Sequence, residues 1–248
     1  MHFLDALAFL SRLGPARVLP QGLGPCLWWF PAVGLVLGVI CSIAAWLLLL
    51  LIQTAEDAIL ASLLAAWLWL VFLLWLSRAL HWDGLADLAD ACGSGARGER
   101  FWQILHDSRL GAFGALAVIT VFSGQWLCAV WHLAHGQWLV LVLAPAWGRA
   151  CALWLAAKVP AREANSLGGM VARAASGPAR LHTWLAIGAG CTLLVLGCPV
   201  WQLLTLLLGH TCLQHHLSHM AREQGGISGD FLGAAVETGQ LWFLLALL

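Results

Sequence analysis

Asp83, Asp87 and Asp90 stand at i, i+4 and i+7 within the stretch H-W-D-G-L-A-D-L-A-D, residues 81–90. On a helix those spacings share one face. Three carboxylates on one face repel each other, and no basic residue stands at a helical pairing distance to relieve them. A hard divalent cation offsets the repulsion, and oxygen ligands suit Mg²⁺ or Mn²⁺. Mg²⁺ typically takes one or two carboxylates and completes its shell with water and substrate phosphates. The plainer alternative is a solvated face whose acids balance nearby arginines. The chain holds only 12 acids in 248 residues, so three within one short stretch favour the metal site.

Asp107-Ser108-Arg109 follows, with Gly111 and Gly114 opening the next apolar run. Asp107 is a candidate fourth metal ligand. Arg109 can meet a phosphate with its planar donor fork, beside Ser108. The bland reading of the tripeptide is a helix N-cap at Asp107 or Ser108, and capping is compatible with function.

The elements that must position these residues are apolar. Of the residues 61% are hydrophobic and 10% charged, with mean hydropathy +0.85. A soluble domain needs more polar surface, whereas one membrane bundle of about six to eight spans fits the length. Seven runs stand out, at about 28–52, 58–78, 110–131, 137–157, 181–197, 200–217 and 231–248. The expected fold is all-α: one integral-membrane domain, 1–248, of about seven transmembrane helices. Long runs rather than alternating strands argue against a β-barrel. Residues 3–13 read as an interfacial helix with Phe3, Leu4, Leu7, Leu10 and Leu13 on its apolar side. Asp5 and the lack of a basic leader argue against a signal peptide. Gly34 and Gly38 form a G-x-x-x-G pair for close helix contact, and Pro145 and Pro199 can kink or end their runs. Trp28, Trp29, Trp201 and Trp242 lie near run ends, as interfacial anchors do. The 8 Cys include no C-x-x-C pair and read as buried thiols, not a disulfide framework. A formal net charge of zero gives no sign of nucleic-acid binding.

The basic residues alternate between the gaps. Arg12 and Arg17 precede the first run; 53–57 holds Glu56 and Asp57 but no Lys or Arg. The gap 79–109, read as the active-site loop, holds Arg97, Arg100 and Arg109, with Arg78 at its edge. The connection 132–136 holds histidines alone, whereas 158–180 holds Lys158, Arg162, Arg173 and Arg180. The turn near 197–200 is uncharged, and 218–230 holds Arg222. This positive-inside pattern implies seven spans, a cytoplasmic N-terminus and an external C-terminus, and places the aspartates on the cytoplasmic side.

Arg149 alone lies inside a run, which makes it a functional candidate; it can also snorkel or pair with Glu237. Glu237 is expected to face the bundle interior. Asp230 opens the last run, either as part of the polar pocket or as a helix cap. His210, His215, His216 and His219 include pairs at ligand spacing, but interfacial histidines are the simpler reading.

The aspartate stretch together with H-D-S-R-L-G-A-F-G-A-L-A, from His106, resembles the cobalamin synthase (adenosylcobinamide-GDP ribazoletransferase) family. F-L-S-R-L-G-P from Phe9, A-R-E-A-N-S-L-G from Ala161 and G-G-I-S-G-D-F-L-G-A from Gly225 are similar to further elements of that family, in order and over nearly the full chain. Two departures stand out. Ala91 replaces the usual Gly after the third aspartate, where it can tighten the turn. His106 replaces a frequent Lys and makes a local charge pH-dependent.

The resemblance implies an inner-membrane enzyme that joins adenosylcobinamide-GDP to α-ribazole, or its 5′-phosphate, with release of GMP and with Mg²⁺ as cofactor. Asp83, Asp87, Asp90 and Asp107 are then the expected metal ligands. One of them, or His81, is the expected proton acceptor, and Arg109, Lys158 and Arg162 are the expected phosphate clamps, with Ser108, Arg149 and Asp230 as further substrate contacts. Partner enzymes at the membrane are compatible with this reading, but no motif indicates them or an oligomeric state. Two other classes were weighed against it. A CDP-alcohol phosphotransferase would carry A-R where Asp87-Leu88 stands. An ion-coupled transporter would place its carboxylates near mid-membrane on broken helices.

Overall fold

The computed structural model describes residues 2–14, 22–52, 58–195 and 198–248. Arg17, Glu56, Asp57 and the side chain of Cys191 lie outside the described residues. Among those residues there is no strand beyond one isolated bridge, Ala161 to Ile227.

The seven apolar runs are seven long helices. A 3-10 helix, Gly24–Trp29, leads into α2, Phe30–Ile52, after the short α1, His2–Leu10. The other six are α3, Ala58–Leu76; α6, Ala112–Ala134; α7, Trp138–Lys158; α9, Ser176–Val195; α10, Val200–Glu223; and α11, Gly229–Ala246, with the short α8, Leu167–Ala174, between α7 and α9. Four meet both the length and the apolarity needed to cross a membrane: Gly24–Ile52, Ala58–Leu76, Ala112–Ala134 and Trp138–Lys158. Together they make an all-α membrane bundle. α1 forms as expected, but Leu10 is buried against the bundle and only Leu4 and Leu13 of the named apolar residues are exposed. Pro145 stays inside α7, while Pro199 caps the start of α10. The described cysteines are free thiols.

α7 runs through the centre, against α2 on one side and α11 on the other. The expected glycine pair makes the first contact. A Cβ at Gly34 would overlap the Pro145 carbonyl, and one at Gly38 the Val142 carbonyl. On the other side a Cβ at Gly148 would lie 2.6 Å from the Val236 carbonyl. Without lipid-excluding hydrophobic force between spans, such backbone approach is what holds them.

The gap 79–109, expected as a loop, contains two helices: α4, Leu80–Gly93, and α5, Glu99–Leu105. The reason is amphipathic spacing. Trp82, Leu85, Ala86, Leu88 and Ala91 are buried against neighbouring helices, and the aspartates take the opposite face. Ala91 continues α4 to Gly93, so no turn follows Asp90. α4 is separated from α3 by Ser77, Arg78 and Ala79, the last two left-handed at φ 59° and 53°. Two adjacent residues with side chains in that region are strained and persist only where their surroundings hold them. Here Arg12 caps α3: its amide donates to the Leu76 carbonyl and its Nε to the Trp75 carbonyl, both at 2.8 Å. Arg78 Nη2 in turn donates to the Ala8 carbonyl at 3.4 Å.

Candidate active site

α4 presents Asp83, exposed, and Asp87 and Asp90, half-buried, on its outward face. It lies antiparallel to α11, with Gly84 opposite Asp230 and His81 opposite Gly233. A Cβ at Gly84 would stand 2.7 Å from the Asp230 Cα, and one at Gly233 would stand 2.9 Å from the His81 carbonyl. Glycine at both positions lets the backbones touch, and that contact carries Asp230 into the aspartate cluster. Asp230 is also held locally, because Ser228 Oγ donates to its Oδ2 at 2.9 Å and accepts its amide at 3.3 Å. The helix cap of α11 is thus Ser228 and not Asp230, which stands in the first turn with its carboxyl beside the α4 aspartates.

The electrostatics record the convergence. Burial pushes the Asp87 carboxyl up to about 6, and the charges of Asp83, Asp230 and Asp90 add to the rise. Asp90 is turned toward α6: its oxygens accept the Gly111 amide at 2.7 Å and the Gly114 amide at 2.8 Å. Among the described residues no three His, Cys, Asp or Glu side chains stand in an arrangement that could by itself hold a metal ion.

The other matched stretches gather around this end of the bundle. The Arg162 amide donates to the Ile227 carbonyl at 3.2 Å, and the Ile227 amide to the Pro160 carbonyl at 3.0 Å. A Cβ at Gly168 would lie 3.1 Å from the Ser228 Cα. α5 covers the junction, with Phe101 and Trp102 against Phe231 and the Trp102 indole donating to the Gln224 carbonyl at 2.9 Å.

A family model for cobalamin-5-phosphate synthase matches residues 2–248. The chain belongs to the cobalamin-5-phosphate synthase family. Its relatives include proteins named adenosylcobinamide-GDP ribazoletransferase. The one from Nitratidesulfovibrio vulgaris strain DP4 is 41% identical over 95% of this chain and 92% of its own. That from Pseudomonas entomophila is 38% identical over 100% and 98%, and that from Syntrophobacter fumaroxidans 34% over 99% and 97%. No solved structure matches.

Several residues expected at the site of this family member stand elsewhere. Asp107 is engaged by Arg109, whose Nη2 donates to Oδ2 at 2.6 Å and whose Nε donates to Oδ1 at 3.0 Å. These bonds hold Asp107 down to about 2. Both lie two residues apart on an exposed connection, with Ser108 exposed between them. Asp107 thus stands paired with Arg109 and apart from the α4 face that carries Asp83 and Asp87.

His81 is buried, with Nδ1 3.7 Å from Glu237 Oε1, and does not share the aspartate face. A proton acceptor for a surface hydroxyl cannot act from there. Arg149 is 2% exposed and donates Nη1 to the Pro145 carbonyl at 2.9 Å. It is a core residue, not a substrate contact, because its neighbours close it off from solvent. Its acidic neighbour is Glu237, which accepts from Gln125 Nε2 at 3.1 Å; Gln240 in turn donates to Gln125 Oε1 at 2.7 Å. Glu237 faces the interior as expected. Lys158 is exposed at the end of α7, and its carbonyl accepts from Arg222 at 3.1 Å. Arg162 is braced by Glu99 at 2.5 Å and lies over the Trp102 ring at 4.5 Å.

Sequence reasoning overlooked Gly84 as a determinant of the site, along with the bracing pair Glu99 and Trp102. Gly84 had a signal, since it follows the first aspartate directly. Glu99 and Trp102 had none, because their partner is 60 or more residues away.

Proposed function

We propose that this chain is an integral-membrane transferase that joins adenosylcobinamide-GDP to α-ribazole, or its 5′-phosphate, releases GMP, and uses Mg²⁺ beside Asp83, Asp87 and Asp230. The relatives' names supply the substrates. The observation that carries the site is the approach of Asp230 to Asp83 and Asp87 across the Gly84 contact. The donor set fits the ion: these are hard carboxylate oxygens, with Asp87 raised first by burial and then by the charges of Asp83, Asp230 and Asp90, and a divalent cation relieves that repulsion. Asp83, Asp87 and Asp230 would hold it. When bound, it neutralises charge on the diphosphate and on the departing phosphate.

The chain's own residues supply the rest. The ribazole hydroxyl oxygen bonds to the cobinamide-side phosphorus, and the bond from that phosphorus to the bridging oxygen breaks as GMP leaves. A cluster carboxylate takes the hydroxyl proton. Arg162, held in orientation by Glu99 and Trp102, is the basic side chain best placed to meet a phosphate, since a pre-ordered guanidinium loses little freedom on binding. Arg109 and Lys158, both exposed, are placed to attract an anionic substrate.

The alternation of basic residues supports a cytoplasmic location for this end of the bundle, in the inner membrane. The testing experiment is GMP release by the purified protein in detergent with adenosylcobinamide-GDP, α-ribazole phosphate and Mg²⁺. Release that stops with EDTA and in Asp87→Asn is expected. Release that is indifferent to both would refute the metal role, and no release from folded wild-type protein would refute the activity.

A further inference from the structure

Asp90 completes the D-x-x-x-D-x-x-D pattern, yet its carboxylate has a different engagement from those of Asp83 and Asp87. α6 begins at Gly111 with no side-chain cap of its own. Its first amides would be orphaned. Asp90, from another helix, accepts two of them, Gly111 at one oxygen and Gly114 at the other. The fit is steric as well as polar. A Cβ at Gly111 or Gly114 would overlap the Asp90 carboxylate, and one at Gly114 would also lie 2.8 Å from the Ala86 carbonyl. The two glycines thus form a cradle for this carboxylate, and they enclose the oxygens a metal would need. The negative charge also sits at the positive end of the α6 dipole.

α4 is short, follows a strained joint and needs a fixed seat. The Gly84–Asp230 approach sets it against α11, and the Asp90 cap sets it against α6. We propose that Asp90 is a positioning residue: it caps α6 in trans and fixes α4, so that Asp83 and Asp87 face the substrate, and it is not a Mg²⁺ ligand. The proposal rests on the Mg²⁺ reading above.

The test uses purified full-length protein in detergent and two readouts, Mn²⁺ binding followed by the free-ion EPR signal, and thermal melting. Asn keeps the reach and one of the two acceptor oxygens, so it retains one of the two amide bonds. Asp90→Asn is therefore expected to keep Mn²⁺ affinity within about threefold of wild type, whereas Asp87→Asn lowers it about 30-fold or more, ligand loss exceeding the 10- to 100-fold range's lower bound seen for supporting residues. Asp90→Ala is expected to lower the melting temperature. Gly114→Ala leaves the carboxylate in place but fills its cradle, and is expected to lower the melting temperature in the same way. Loss of Mn²⁺ binding in Asp90→Asn equal to that in Asp87→Asn, at unchanged melting temperature, overturns the proposal. If Asp87→Asn leaves Mn²⁺ binding untouched, the Mg²⁺ reading fails instead. The cap is then judged by melting alone: equal melting of Asp90→Ala and wild type overturns it, and a drop rescued by Asn supports it.

Discussion

The Cα of Asp230 lies so near Gly84 that a single added carbon would come within 2.7 Å of it. Backbone, unlike a flexible side-chain tip, cannot move aside at small cost. Gly84→Ala must therefore push α4 from α11. Overpacking of this kind costs about 1–3 kcal/mol, which a bundle of this size tolerates. Catalysis is less forgiving, since a misplacement near 1 Å can cost about 100-fold. The expected outcome is protein that still folds in detergent, with GMP release down about 100-fold. Activity within a few-fold of wild type would show that Asp230 is dispensable to the site.

This contact also marks what could be read from the sequence. The seven helices were legible because each is a long apolar run, and Gly34 and Gly38 pointed to a close neighbour. The aspartate face was legible because i, i+4, i+7 is a property of one helix. The bounds of that helix and the presence of α5 after it were not, because both segments are short and polar enough to resemble loop. The roles of Asp90 and Asp107 were not, because one depends on amides of α6 and the other on the side chain of Arg109. Asp230 was placed only by its position at the head of a run; its approach to Asp87 is a tertiary fact.

Asp87 gives the site a pH dependence. Its carboxyl is raised from 3.8 to about 6 by burial and by neighbouring carboxylates. A raised acid is protonated more readily in the folded protein, so its contribution to stability is full below the unfolded value near 3.8 and is lost as pH rises through about 6. Mg²⁺ and the proton compete for the same group. Apparent metal affinity should hold above pH 6.5 and fall toward tenfold per pH unit below about 6, as one-proton competition requires. Mn²⁺ titration between pH 5 and 8 measures it, and a flat profile would remove Asp87 from the ligand set.

Arg149 and Glu237 are buried charges in the helical core, and removal of one leaves the other uncompensated. Arg149→Leu is expected to destabilise the protein by about 3–5 kcal/mol, with Glu237→Gln alone also destabilising. The double variant should recover much of the loss, since two neutral residues leave no buried charge. Thermal melting in detergent gives the cycle. Additive losses would show that the two charges do not interact.

The α3–α4 joint joins strain to its remedy. Ala79 sits at φ 53°, a region that costs a residue with a Cβ about 1–2 kcal/mol and glycine almost nothing. Glycine pays back part of that gain in unfolded-state entropy. Ala79→Gly is therefore expected to stabilise by about 0.5–1 kcal/mol while loosening the hinge that aims Asp83 and Asp87. Arg12 acts in the opposite sense. It donates to two terminal carbonyls of α3 and lies 5.4 Å from the Trp75 ring centre. Arg12→Ala removes a C-terminal cation and the Nε bond to the Trp75 carbonyl, about 1–2 kcal/mol together, while its backbone amide still donates to the Leu76 carbonyl. It leaves the strained joint with one brace fewer, so GMP release should fall by more than the stability change alone explains. Arg12→Lys keeps the charge but loses the planar donor set, and should fall between wild type and Ala. Wild-type turnover in Arg12→Ala would show that α1 does not control the aspartate helix.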